Sequence, residues 1–95
     1  MLDSNKQNKR NIYKMTGTKT TSANGNIELA LSYNDNYILS ASRDGTEGLA
    51  IPYNYNANGH WGIHFCIDNA AMDPLASTSI SYTVVYISRS ELTSA

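Results

Sequence analysis

The most reactive side chains of this sequence lie close together in its last third. His64, Cys66 and Asp68 supply a base, a nucleophile and a carboxylate, which are the residue types of a cysteine hydrolase. They are two residues apart in a segment of alternating polarity, so on one β-strand neighbouring side chains would project in parallel, about 6.5 to 7 Å apart. A nucleophile and its base must approach to roughly 3 Å. The spacing therefore predicts an inert cysteine and no catalytic residues, and we do not expect an enzyme.

Two histidines raise the question of a metal site. His60 and His64 would share one face of the same strand, about 13 Å apart. Imidazoles at that separation cannot bind one metal ion within a single chain, although three copies around a symmetry axis could each provide one ligand. The sequence also lacks paired carboxylates at a catalytic spacing, a glycine-rich phosphate loop and a nucleophile elbow. We therefore predict neither a metal nor a cofactor.

Tyrosine is the most informative bias in the composition, since the chain has seven tyrosines and one phenylalanine. A tyrosine combines an apolar ring with a hydroxyl that needs a partner, so it favours half-buried positions, interfaces and ligand platforms. Asparagine-rich turns adjoin several of these tyrosines, and stacking rings beside planar amides suit sugar recognition. The predicted ligand-binding residues are Tyr37, Tyr53, Tyr55 and Asn56. The alternative is that these tyrosines only pack and these asparagines only turn the chain.

Six segments show the alternation of bulky apolar and small or polar residues that is typical of half-buried β-strands. Turn-forming pairs separate several of them, namely Asn24-Gly25, Asp44-Gly45 and Asn58-Gly59. The predicted strands are 12–22, 26–32, 36–42, 49–55, 60–67 and 78–87. No segment has a sustained helical period, although residues 68–75 could hold one turn. We therefore expect an all-β fold, a small antiparallel, jelly-roll-like β-sandwich with little or no helix.

This domain is expected to span residues 12–88. A flexible polar and basic lead-in over residues 1–11 precedes it, and a tail over residues 89–95 follows it. Pro52 cannot donate a ladder hydrogen bond, so its strand is expected at a sheet edge. The predicted core consists of Ile27, Leu29, Leu31, Leu39, Ile51, Trp61, Ile63, Phe65, Ile67, Ile80, Tyr82, Val84 and Tyr86. Val85 and Ile87 would face away from it, so the last strand is covered on both sides or contacts a partner.

The turn at Asn58-Gly59 allows a prediction of strand register. A two-residue loop would pair Trp61 with Asn56 and would set an apolar row beside a polar one. A three-residue loop over residues 57–59, with its glycine left-handed in a bulge, instead pairs Tyr55 with Trp61. This second register brings every apolar residue to one face, and we predict it. Its further pairs are Tyr53 with Ile63, Ile51 with Phe65 and Leu49 with Ile67.

Charge is distributed unevenly along the chain. Five of the seven basic side chains precede residue 20, and seven of the eight acidic ones follow it. Residues 20–95 are too acidic for a surface that binds nucleic acid. The basic segment before them has few apolar residues, which is typical of a solvated segment. The single cysteine excludes an intrachain disulfide. No apolar run is long enough for a signal-peptide core or a membrane span, so membrane insertion is not predicted. The charge distribution likewise predicts no nucleic-acid partner.

Several of these segments together resemble the C-terminal head domain of bacteriophage or prophage tail-fibre and minor structural proteins. The resemblance covers roughly residues 15–87. Its segments are Asn24-Gly25-Asn26-Ile27-Glu28-Leu29, Leu49-Ala50-Ile51-Pro52-Tyr53, His60-Trp61-Gly62-Ile63-His64, Met72-Asp73-Pro74-Leu75-Ala76 and Ser79-Ile80-Ser81-Tyr82-Thr83-Val84-Val85-Tyr86-Ile87. The resemblance implies a small β-sandwich, often a homotrimer, at the distal end of a fibre that contacts the host surface. It also implies a protein made in the cytosol without a signal peptide and located in the virion, or outside the cell after lysis.

The expected function is that of a structural and adhesive phage module that binds a host cell-surface carbohydrate or teichoic acid. The alternative is a carbohydrate-binding or adhesin domain of a bacterial surface protein. A small hydrolase is a third hypothesis, which inhibition by a thiol reagent would support. Neighbouring genes for tail, holin and lysin proteins would favour the first hypothesis, and export signals with sortase motifs would favour the second.

Overall fold

Two three-stranded antiparallel sheets pack face to face, which confirms the predicted all-β sandwich. The computed structural model describes residues 11–46, 48–55 and 58–92, so the predicted lead-in lies outside the described residues except for Asn11. The strands are β1 (Ile12–Thr20), β2 (Asn26–Ser32), β3 (Asn36–Arg43), β4 (Leu49–Asn54), β5 (His60–Cys66) and β6 (Ser79–Ser88). A 3-10 turn over Arg89–Glu91 is the only helical element in the described part of the chain.

Each sheet is built around a strand from the second half of the chain. The first sheet has the order β1-β6-β3, and the second has the order β2-β5-β4. β1 and β3 both pair with β6, and β2 and β4 both pair with β5. The strand that contains Pro52 therefore lies at a sheet edge, as predicted, where a missing N–H leaves no partner unsatisfied.

Thr21 ties the end of β1 to the loop that precedes β6. Its side chain is buried, and its hydroxyl donates to the carbonyl of Leu75 over 2.6 Å. The same oxygen accepts from the backbone N–H of Thr78 over 2.9 Å. At the adjoining turn, Gly25 has a φ of +80°, and its carbonyl accepts from the N–H of Phe65 over 2.8 Å. Local turn chemistry and contacts distant in sequence thus fix the same corner of the sandwich.

Ten buried side chains from β2, β3, β5 and β6 form the core between the sheets. Nine of them were predicted from the alternation, and the tenth is Ile38. Leu39 was the predicted core residue of β3 but is 48% exposed, whereas Ile38 is 6% exposed. The cause is a bulge in β3 between Ile38 and Ser40. One extra residue there shifts the alternation of inward and outward side chains by one position.

The predicted register of the β4–β5 hairpin is wrong by one residue. Trp61 lies opposite Asn54, and the N–H of Tyr55 donates to the carbonyl of His60 over 3.0 Å, so Tyr55 pairs with His60 and not with Trp61. The left-handed glycine is confirmed, since Gly59 has a φ of +70°.

This register turns the larger side chains of β4 away from the core. Ile51 was a predicted core residue, but it lies opposite His64 and is 41% exposed. Ala50 and Pro52 face inward instead, opposite Phe65 and Ile63. An edge strand can bury the row of its smaller side chains and expose the row of its larger ones. The size of the side chains in β4 therefore did not reveal its register.

Two further predictions concern the ends of strands. Ile67 was assigned to the core but is exposed, because β5 ends at Cys66 and the chain then turns, with the N–H of Ile67 donating to the carbonyl of Asp73. Ile87 points away from the core and is nevertheless buried, with Ile12 and Tyr37 as its cross-strand neighbours. This end of β6 is thus covered on both sides within one chain.

Candidate functional site

The outer face of the second sheet collects polar and aromatic side chains from three strands. Because the buried side chains of Trp61, Ile63 and Phe65 point inward, the residues between and beside them point outward. We call this surface the tyrosine–histidine face. Its residues are Asn26 and Glu28 of β2, His60, Gly62 and His64 of β5, Tyr53 of β4, and Tyr55 and Asn58 of the following segment.

Tyr53 and Tyr55 lie side by side across the glycine in the middle of β5. Their ring centroids are 6.1 Å apart, and the ring planes are inclined by 34°. A Cβ atom added to Gly62 would lie 2.8 Å from Tyr53 Cζ and 2.8 Å from Tyr55 Cδ2, so both rings occupy the space that a side chain would fill. Burial raises the pKa of the Tyr53 hydroxyl, which therefore remains a neutral donor at neutral pH. The glycine thus allows the sheet to hold a platform of two rings.

A carboxylate, an amide and an imidazole meet beside this platform. Asn58 Nδ2 donates to Glu28 Oε2 over 2.9 Å, and His60 Nδ1 lies 2.7 Å from the same oxygen. An ionised carboxylate only accepts hydrogen bonds, so Nδ1 of His60 carries a proton and donates it. In the neutral ring this leaves Nε2 as an acceptor for a hydroxyl of a ligand.

The second histidine of the face is held in the same way. His64 Nδ1 lies 2.8 Å from Asn26 Oδ1, and the amide oxygen accepts from the ring. Both imidazoles are therefore fixed through Nδ1 to side chains of β2, with Gly62 between them on β5. In the described ranges, no group of three His, Cys, Asp or Glu side chains is arranged to hold a metal ion.

The hydrolase residue types do not converge. Cys66 is a buried free thiol that lies opposite Leu49, while His64 Nδ1 is engaged by Asn26. Asp68 follows the end of β5 in an exposed turn. The side chains described on this face offer hydrogen bonds and ring stacking.

The predicted site residues separate into two places. Tyr53 and Tyr55 lie together, whereas Tyr37 belongs to β3 in the other sheet, and Asn56 lies outside the described residues. Glu28, Asn58 and His60 were not among the predicted ligand-binding residues. Alternation along β5 placed His60 on the face away from the core, but its contact with Glu28 depends on pairing between residues 32 apart in sequence.

Tyr37 contributes to an aromatic cluster that surrounds Arg89. The guanidinium carbon lies 4.9 Å from the ring centroid of Tyr33, 5.4 Å from that of Tyr37 and 5.8 Å from that of Trp61. Arg89 Nε also donates to the carbonyl of Tyr33 over 2.8 Å. The cluster attaches the 3-10 turn after β6 to the β2–β3 hairpin.

Replacing Arg89 with alanine should therefore lower the free energy of unfolding by about 1.5 to 3 kcal/mol, through the lost cation–π contacts and one hydrogen bond. Arg89→Lys keeps the charge but loses the planar fork and the Nε bond, so it should recover only part of this loss. Urea unfolding followed by circular dichroism measures both effects. Lys14→Ala, at an exposed cation of β1, is the control and should stay within about 0.5 kcal/mol of the wild type. Equal stability of Arg89→Ala and the control would contradict this account.

The hydrogen bonds to Glu28 predict a measurable titration. The bond from Asn58, followed by the bond from His60, holds the pKa of the Glu28 carboxyl below its usual range. Because this pKa is lowered by folding, the carboxylate contributes its stabilisation above its unfolded pKa and loses it as the pH falls through the folded one. Asn58→Ala and His60→Ala should each raise the pKa of Glu28, as followed by the NMR shift of the carboxyl carbon. An unchanged titration in Asn58→Ala would show that the amide does not hold the carboxylate.

Comparisons of this chain with protein-family models, with curated proteins and with solved structures found no match. Among the described residues, no helix has the length and apolar character needed to cross a membrane.

Proposed function

We propose that this chain is a non-catalytic binding module and that its tyrosine–histidine face binds a cell-surface carbohydrate. The observation that supports this most directly is the pair of tyrosine rings over Gly62, beside the Glu28, Asn58 and His60 cluster. Stacking rings provide an apolar surface for a sugar ring, and the adjoining groups offer both donors and acceptors to its hydroxyls.

The rigidity of the site also favours binding. Tyr53 and Tyr55 are both half-buried, so part of the entropy that ordering them costs is already lost in the free protein. Asn58 and His60 are likewise fixed by hydrogen bonds to Glu28. Each stacked ring would contribute about 1 kcal/mol, so one site alone would bind weakly.

Useful affinity would then require several copies of the domain acting together through effective concentration. This requirement suits an adhesive module of a phage or prophage tail fibre, the function implied by the resemblance of the sequence to tail-fibre head domains. Such a module would be assembled as a homotrimer and exposed in the virion or after lysis. A carbohydrate-binding or adhesin domain of a bacterial surface protein is the second candidate, because the same face would serve it equally. Neighbouring genes distinguish the two.

Replacing both platform tyrosines tests the proposal. Tyr53→Ser combined with Tyr55→Ser should reduce binding of a trimerised fusion of the full chain to purified Gram-positive cell walls by more than about 10-fold, because both stacking surfaces are lost. Binding is measured by sedimentation with the walls, and the dispersion of amide shifts shows whether the variant is folded. Tyr13→Ser is the matched control, since Tyr13 is exposed on β1 in the other sheet.

Full binding by a folded double variant would remove these residues from the site. A wild-type trimer that binds none of a panel of Gram-positive cell walls would contradict the proposed adhesive function itself.

A further inference from the structure

A groove runs along the edge of the tyrosine–histidine face, on the far side of His60 from the tyrosine platform. Its volume is about 170 Å³, and it is lined by Lys19, Glu28, Leu29, Ala30 and His60. Lys19 reaches it from β1, and its ammonium donates to the backbone carbonyl of Glu28 over 2.9 Å. The groove is therefore bounded by groups from both sheets.

The groups that line this groove combine three kinds of chemistry. The Lys19 ammonium has three N–H donors, of which the bond to Glu28 uses one. Asn58 and His60 both bond to Oε2 of Glu28, and Oε1 of that carboxylate takes part in neither bond. The exposed methyl group of Ala30 also lines the groove. A ligand group that fits must offer an acceptor, a donor and a small apolar part.

We infer that this groove accepts the acetamido group of an N-acetylated amino sugar. The inference rests on the proposed function, because the rest of the same glycan would stack on Tyr53 and Tyr55. The acetamido carbonyl would accept from Lys19, its N–H would donate to the carboxylate of Glu28, and its methyl group would contact Ala30. Each of the three chemistries present in the groove is thereby used.

The positions of the strands set the length of the ligand. Glu28 and Ala30 lie on β2, His60 lies on the neighbouring β5, and Tyr53 lies on β4 beyond it. Adjacent strands are about 4.8 Å apart, and the rings of Tyr53 and Tyr55 extend from β4 and the segment after it over Gly62 of β5, so about one strand spacing separates the platform from the groove on β2. A short oligosaccharide would contact both.

Other sugar substituents match the groove less well. A sugar acid would pair with Lys19 but would also meet Glu28, and a free amino sugar would pair with Glu28 but would also meet Lys19, so each would meet one like charge. A plain hexose would have no methyl group for Ala30. The groove thus favours a neutral substituent with both donor and acceptor character.

The test compares three oligosaccharides on the full-length, nitrogen-labelled chain: tri-N-acetylchitotriose, its deacetylated form and cellotriose. Tri-N-acetylchitotriose should bind about 10-fold more tightly than cellotriose, the gain expected from one hydrogen bond to a charged group, and should shift the amide signals of Lys19 and Ala30. All bound oligosaccharides should shift the signals of Tyr53 and Tyr55. The deacetylated oligomer should lose the additional affinity.

Two variants test the groove separately from the platform. Ala30→Leu fills the groove and Lys19→Ala removes the donor, so each should abolish the preference for the N-acetylated oligomer while leaving cellotriose binding unchanged. Both positions are exposed, so neither substitution should unfold the domain. Thr16→Leu, at an exposed position on the opposite face, is the control for the added leucine.

The results distinguish this inference from the proposed function. Equal affinity for tri-N-acetylchitotriose and cellotriose, with shifts confined to the platform, would overturn the acetamido site and leave the carbohydrate platform intact. Loss of affinity for both ligands in Ala30→Leu would also overturn a separate acetamido site. Binding to cell walls without binding to any of the three oligosaccharides would overturn the inference alone.

Discussion

Replacing Trp61 with alanine should lower the free energy of unfolding by about 3 to 5 kcal/mol, a large share of the 5 to 15 kcal/mol typical of a small domain. The indole is 5% exposed, and its centroid lies 4.5 Å from that of Tyr33. Its Nε1 also donates to the carbonyl of Asn36 over 3.0 Å. The substitution would open a cavity and remove both contacts. Because Trp61 is the single tryptophan of the chain, unfolding should be followed by circular dichroism.

Trp61→Phe separates these contributions. It retains an aromatic ring in the core but leaves the carbonyl of Asn36 without its indole partner, so the expected loss is smaller, about 1 to 3 kcal/mol. An alanine variant that melts at the wild-type temperature would show that the indole does not contribute to the core.

Gly25→Ala should be the most damaging of the glycine substitutions in the turns, with a loss of about 2 to 4 kcal/mol from backbone strain and overpacking together. The residue has a φ of +80°, and an added Cβ would lie 2.7 Å from the carbonyl oxygen of Phe65 and 3.0 Å from the N–H nitrogen of Leu75. Both of these are backbone atoms, so neither can move aside by changing a rotamer. The carbonyl of Gly25 also holds the N–H of Phe65, and a shift of the turn would break that bond.

Gly59→Ala is the matched control for backbone strain. Its φ of +70° is similar, but apart from its chain neighbours no heavy atom of the described residues lies within 4 Å of the added Cβ. It should therefore show only the cost of a left-handed alanine, about 1 kcal/mol. Comparable losses in the two variants, measured by urea unfolding, would show that close packing at Gly25 contributes nothing.

The sequence predicted the elements well because the strand signals are local. All six predicted strands are present, from the first at 12–22 to the last at 78–87. Each observed strand begins and ends within two residues of its predicted bounds. The errors arise where one inserted or deleted residue changes the face to which a whole row of side chains points. The bulge before Ser40 and the one-residue shift in the pairing of β4 with β5 each did so.

The same distinction explains the candidate site. A local excess of aromatic side chains pointed to Tyr53 and Tyr55, which the fold brings together. Tyr37 was grouped with them because it also adjoins an asparagine-rich turn, but it contacts Trp61 and Arg89 instead. Glu28 joined the site only through the pairing of β2 with β5, which no local pattern specified.

The order of strands in the first sheet has a consequence for folding during synthesis. β1 and β3 pair only with β6 among the described strands, so they have no sheet partner while β6, the last of the six, is still inside the ribosome. The second sheet can pair as soon as β5 emerges, whereas the first must wait for Ser79–Ser88. Until then the nascent chain exposes two unpaired strands, which are open to pairing with other chains. Because β6 lies at the centre of its sheet and contributes Ile80, Tyr82 and Val84 to the core, the core cannot close before that strand is complete.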